Sequence, residues 1–143
     1  MKTLYTAHAT TVAGRNGHTA TDDKKIDLDL SAPGSNGAGS NPEQLFACGY
    51  SACFGSAVDA VAKKEKTAVE KISIHADVSL HQDETNGFYL SVILNAELDG
   101  VDESTARHLV EKAHCVCPYS KALQGNVEVE LKVNNQRLNA KAA

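Results

Sequence analysis

Residues 41–54, Asn41-Pro42-Glu43-Gln44-Leu45-Phe46-Ala47-Cys48-Gly49-Tyr50-Ser51-Ala52-Cys53-Phe54, decide how this chain is read. Asn is a favoured N-cap, Pro42 suits the first helical position, and Gln44 stands three residues after the cap as in a capping box. The spacing predicts a helix from Pro42 to about Lys64, with Lys63, Lys64 and Lys66 gathered at the end where a helix dipole favours positive charge. Its middle is apolar or small on every side, the pattern of a helix covered all round. A subunit of 143 residues has little material for that, so a second subunit is expected to complete the cover.

Upstream, Ile26, Leu28 and Leu30 alternate with Asp27 and Asp29, the period-two signature of a half-buried strand. Gly14-Arg15-Asn16-Gly17 carries turn chemistry between two strands, and the loop from Ala32 to Ser40 is too short for a domain linker. Downstream, Ile72, Ile74, Ala76, Val78 and Leu80 alternate, as do Phe88, Leu90, Val92, Leu94, Ala96 and Leu98, with Asn86-Gly87 as the hairpin signal between them. A second helix is predicted from Asp102 to about His114, with Ala106, Leu109, Val110 and Ala113 as its apolar stripe. Pro118 is expected to end anything helical nearby. Val127, Val129, Leu131 and Val133 form a last strand, giving an α+β fold in one domain, 1–143.

Composition narrows the function classes. With 42% hydrophobic and 22% charged residues the chain is globular and not disordered. A net charge of −4, with no basic run longer than Lys24-Lys25 or Lys63-Lys64, argues against a nucleic-acid or anionic-membrane surface as its partner. Residues 1–10 lack an apolar signal region, and the longest uncharged run, Gln44 to Val58, is shorter than the ~20 residues a membrane span needs. A soluble, cytoplasmic protein is expected. The cysteines, Cys48, Cys53, Cys115 and Cys117, are therefore inert core, metal-binding or catalytic.

Cys53 lies about three turns into the predicted helix, too far in for the N-terminal dipole to acidify it, while burial alone would leave it an inert thiol. A reactive Cys53 needs a cation from elsewhere, for which Arg15 in its Gly-flanked turn is the candidate. An arginine near an apolar helix needs a carboxylate to orient it, and Glu43 sits about 80° round the helix from Cys53. Phe46 and Gly49 fall within about 40° of Cys53, whereas Cys48 points about 140° away and cannot pair with it. Taken singly, Cys53 could be a small core residue, Arg15 a solvated loop charge and Glu43 a first-turn carboxylate.

A second constellation is Ala113-His114-Cys115-Val116-Cys117-Pro118-Tyr119-Ser120. A cysteine just before proline has a locally fixed, often accessible backbone and suits attack on a sulfenic acid formed elsewhere; ordinary helix-end packing is the alternative. No C-x-x-C pair is present, which argues against zinc and leaves no metal expected. Gly49-Tyr50-Ser51-Ala52-Cys53 lacks the second glycine of a nucleophile elbow and lies inside a helix, which argues against a hydrolase.

These two stretches, with Gly125-Asn126 and the Gly14–Gly17 turn, resemble the organic hydroperoxide resistance proteins, which share a superfamily with the osmotically inducible protein C group. The resemblance spans nearly the whole chain, and Pro-Tyr-Ser with the nearby Gly-Asn points to the hydroperoxide branch. It implies antiparallel sheets with two main helices, the first at the centre of an intertwined homodimer. It implies a peroxidase that reduces alkyl and fatty-acid hydroperoxides to alcohols, with Cys53 as peroxidatic cysteine, Cys117 as resolving cysteine, and Arg15 and Glu43 as the active-site pair. It implies no bound cofactor and recycling by an external dithiol, a lipoyl group on a partner protein. Phe46, Tyr50 and Phe54 are candidate walls of the substrate pocket. Cys48 stands where the family has a small residue and Cys115 is an additional thiol, which could compete with Cys117. The alternatives are a sister-branch peroxidase with a different peroxide preference and a non-enzymatic redox-sensing or ligand-binding dimer.

Overall fold

The alternation of the first thirty residues becomes a three-stranded antiparallel sheet in the computed structural model, which describes residues 1–138. Strand β1 (Ala9–Val12) pairs with β2 (His18–Thr21), and β2 with β3 (Asp27–Asp29). The turn between β1 and β2 is a single 3-10 turn over Gly14–Asn16. On β3 the polar positions are the ones engaged: Asp29 and Asp27 hold the two ring nitrogens of His18 on the neighbouring strand at 2.8 and 2.5 Å. The apolar side differs from the half-buried strand expected. Ile26 and Leu28 stay exposed within one chain, and only Leu30 of the alternating set is buried.

The chain forms two compact units that divide after Leu45, and the helix α1 (Pro42–Lys64) starts in the first and continues through the second. Its start is as the sequence reads: the Asn41 carboxamide oxygen accepts the Gln44 N–H at 2.9 Å. The capping box is not closed, because the Gln44 side chain accepts the Ser40 hydroxyl instead of reaching back to the cap. One face of α1, carrying Tyr50, Phe54, Ala57, Val58, Val61 and Ala62, is buried. Cys48, Ala52, Ser56 and Ala60 are exposed, so within one chain the cover is one-sided.

The second unit contains a four-stranded sheet in the order β4-β5-β6-β7. Strands β4 (Lys71–Asp83) and β5 (Gly87–Asp99) form the expected hairpin, paired from Lys71↔Asp99 to Asp83↔Gly87. Asp83 organises its loop by accepting the N–H groups of Thr85 and Asn86. Helix α2 (Glu103–Val116) follows, its N-cap Asp102 accepting the Thr105 N–H, and its stripe Ala106, Leu109, Val110 and Ala113 is buried as predicted. Helix α3 (Pro118–Leu123), β6 (Glu128–Val133) and β7 (Gln136–Arg137) complete the described residues.

Two expectations change here. Pro118 ends α2 but also opens α3, because the first helical position needs no N–H and proline is pre-set for it. The sheet is antiparallel at β4/β5 and β6/β7, but β6 runs parallel to β5. A parallel neighbour needs a long crossover, and α2 and α3 supply it. In register, Val92↔Val129, Leu94↔Leu131 and Ala96↔Val133 present one apolar face to Phe54, Val58, Leu109 and Val110.

Candidate active site

Two side-chain pairs stand out. In the first unit Arg15 lies in the 3-10 turn and Glu43 in the first turn of α1, and guanidinium and carboxylate meet as a fork: Nη1 to Oε2 at 2.8 Å and Nη2 to Oε1 at 2.7 Å. Parallel bidentate bonds of this kind fix orientation as well as charge. The contact holds the Glu43 carboxyl below its ordinary range and pushes the Arg15 guanidinium above its own. The turn is tightly specified. Ala13 and Gly14 both have positive φ, and a Cβ on Gly17 would fall 1.7 Å from the Val12 carbonyl oxygen. Only glycine fits there, so the two strands can return over Arg15.

In the second unit Cys53 and Cys117, 64 positions apart, are neighbours: the Cys117 thiol donates to the Cys53 sulfur at 3.6 Å. All four cysteines are free thiols. Cys117 caps α2 and α3 at once, with φ −63° and ψ 124°. That extended geometry is what a following proline imposes. Its N–H is spent on the Ala113 carbonyl and its own carbonyl accepts the Lys121 N–H. The accessible thiol expected before Pro118 is instead fully buried. Cys53 is partly buried, and Cys48 and Cys115 are exposed.

Burial pushes the Cys53 thiol above its ordinary range; the Tyr119 backbone N–H works against this, and the neighbouring Cys117 adds to it. Desolvation thus wins over the single backbone donor, as a mid-helix position dictates. Of the candidate pocket aromatics, Tyr50 and Phe54 have no exposed surface and pack in the core, while Phe46 is half-buried. Tyr119 packs on two of them: it stacks on Tyr50 with centroids 5.7 Å apart and meets the Phe46 ring edge-on at 6.0 Å. A Cβ on Gly49 would come within 2.7 Å of its phenol oxygen, so the absence of a side chain there makes the seat for this ring.

Sequence reasoning missed one further group. The Tyr50 hydroxyl bonds the Ser120 hydroxyl at 2.8 Å, and Ser120 bonds His114 Nδ1 at 3.0 Å. The signal was present in the matching steps of three residues from Cys53 back to Tyr50 and from Cys117 on to Ser120.

Comparison with known proteins gives concordant results. The family described as OsmC-like protein matches residues 34–132. An organic hydroperoxide resistance protein of Xanthomonas axonopodis pv. citri is 46% identical over 135 residues, 91% of this chain and 94% of that one. The organic hydroperoxide resistance protein OhrA of Bacillus subtilis is 46% identical over 136 residues, covering 91% and 96%. A crystal structure of an organic hydroperoxide resistance protein from Legionella pneumophila superposes with a TM-score of 0.88 at 48% identity, covering 92% of this chain and 98% of that one.

Proposed function

Because this chain belongs to the organic hydroperoxide resistance proteins of the OsmC-like family, we propose that it is a thiol-dependent peroxidase acting on alkyl and fatty-acid hydroperoxides. The observation that carries this reading is the 3.6 Å approach of Cys117 to Cys53, a thiol pair half in and half out of the core.

The Cys53 thiolate attacks one peroxide oxygen. The sulfur–oxygen bond forms as the O–O bond breaks, the alkoxide takes a proton and leaves as the alcohol, and Cys53 becomes a sulfenic acid. The peroxide is reduced by two electrons and the sulfur oxidised by two. Since burial disfavours the Cys53 thiolate, the step needs a cation, and Arg15 is assigned that role, with Glu43 aiming its guanidinium. Arg15 also stabilises the charge that develops on the departing oxygen. The sulfur of Cys117 then displaces the sulfenic oxygen as water, closing a Cys53–Cys117 disulfide. An external dithiol, a lipoyl group on a partner protein, reopens it by two exchanges, with no bound cofactor. The exposed small-residue face of α1 supports a homodimer, and the reducing cytoplasm is the compartment in which such recycling runs.

Thiol counting before and after one equivalent of an alkyl hydroperoxide, with mass-spectrometric mapping, tests this. Loss of two thiols joined as Cys53–Cys117 is expected, with steady turnover on a lipoyl dithiol. Oxidation that stops after one event and is not reversed by dithiols would overturn the peroxidase reading in favour of a sensor. Faster reaction with hydrogen peroxide than with alkyl peroxides would overturn the substrate class.

A further inference from the structure

Ser120 is the one polar residue among the described residues whose surface is almost wholly removed from solvent, at 3% exposure. A buried hydroxyl is costly unless bonded, and this one has two partners from two other helices. Tyr50 comes from α1 and His114 from the last turn of α2, while Ser120 itself is on α3. Burial depresses the His114 imidazole below its ordinary range, which keeps the ring neutral at neutral pH. The assignment that leaves no buried donor unpaired runs one way: Tyr50 O–H donates to Ser120 Oγ, and Ser120 O–H donates to His114 Nδ1.

The placement of this chain relative to the thiols is regular. Cys117 stands three residues after His114 and three before Ser120, so the Ser120–His114 bond closes a loop with Cys117 at its apex. Tyr50 stands three residues before Cys53, one turn away on α1. Tyr50–Ser120 and Cys53–Cys117 are thus successive rungs between α1 and the α2–α3 corner, one a hydrogen bond of 2.8 Å and the other a thiol contact of 3.6 Å.

From this geometry we infer that Ser120 and His114 are positioning residues for disulfide closure, holding the α2–α3 corner so that Cys117 stays within reach of Cys53 after Cys53 is oxidised. The inference rests on the peroxidase reading above and concerns its second step. There a lone pair of the Cys117 sulfur forms the S–S bond, the S–O bond of the Cys53 sulfenic acid breaks, and the leaving hydroxide takes the Cys117 proton as water. The sulfurs must close from 3.6 Å to about 2.05 Å along one line. A corner pinned from two sides restricts Cys117 to that line, and neither Ser120 nor His114 takes part in the bond changes.

The test separates the two steps in single-turnover experiments on the full chain with an alkyl hydroperoxide. Ser120→Ala should leave the rate of Cys53 oxidation unchanged but slow disulfide closure by about tenfold to a hundredfold, the loss that a misplacement of about 1 Å produces. Sulfenic acid should then accumulate, be trapped by dimedone, and pass to the sulfinic acid at peroxide levels the parent tolerates. Ser120→Thr, which keeps a hydroxyl, should restore closure. His114→Leu should slow closure, and His114→Asn, which retains an acceptor near the Nδ1 position, should recover it. Closure at the parent rate in Ser120→Ala and His114→Leu would overturn the inference while leaving the Cys53–Cys117 disulfide intact. Equal slowing of both steps, without rescue by threonine or asparagine, would also overturn it, since that is general loosening. Absence of the disulfide in the parent protein would instead sink the reading beneath it.

Discussion

The pair in the first unit and the pair in the second are built on opposite principles. Arg15 and Glu43 are charged, meet on a six-atom fork and sit in a unit whose buried apolar residues are Ala20 and Leu30. Cys53 and Cys117 are thiols, meet through one weak contact and sit on a core that includes Phe54, Val58, Leu109 and Val110. In the first pair orientation comes from the partners themselves, because bidentate ionic bonds are directional. In the second it comes from the surroundings, because a sulfur contact of 3.6 Å holds nothing by itself. Charge sets the geometry of one pair, and packing sets that of the other.

The comparison breaks most sharply at Cys53 and Cys117. Cys53→Ser should bring peroxide turnover to the background rate, whereas Cys117→Ser should complete one turnover and then stall or over-oxidise. Sustained consumption by Cys53→Ser, followed with an alkyl hydroperoxide and excess dithiol, would remove Cys53 from its role. Next in size is the packing beneath the thiols: Leu109→Ala should cost about 2–5 kcal/mol in denaturant unfolding, the range for a buried leucine truncated to a cavity. A change below about 1 kcal/mol would show that the core does not support the thiol pair as a unit.

The charged pair should respond differently. Arg15→Ala is expected to cost folding only what the fork contributes but to slow Cys53 alkylation at neutral pH, by about tenfold for each unit the thiol pKa rises. Equal alkylation rates in the two proteins would detach Arg15 from the thiolate. The smallest effect concerns Glu43. Its carboxyl is held below its ordinary range by Arg15, so its contribution to stability is present above the unfolded-state pKa and is lost as pH falls through the lower folded-state value. Glu43→Gln should therefore be less stable than the parent near neutrality, with the gap closing in acid; a gap independent of pH in urea titrations would count against the fork as its source.

Much of this architecture was legible because it rests on short-range patterns. The helix from Pro42 to Lys64 and the stripe Ala106, Leu109, Val110 and Ala113 follow from caps and periodicity, which need no partner to be read. Pro118 was misjudged because a helix breaker and a helix starter are the same residue seen from two sides. The parallel pairing of β6 with β5 was missed because alternation reports which face is buried and is silent about strand direction. At the site, Arg15 and Glu43 could be matched by charge logic, and the structure brings them together. Tyr50, chosen as a pocket wall, proved to be a buried hydrogen-bond partner of Ser120, because aromatic residues on an apolar helix look alike in sequence whether they line a cleft or fill a core. Ser120 and His114 were signalled only by their spacing from Cys117, since a hydroxyl and an imidazole become a clasp only once the helices that carry them pack.

The parallel step from β5 to β6 has a consequence for how the dithiol comes into being. The segment that carries Cys117 is the crossover itself, so its corner is anchored at its far end only when β6 has found its place beside β5. Pairings between strands distant in sequence form late in folding, after the loop entropy between them has been overcome. Until β6 pairs with β5, that corner is anchored at one end alone.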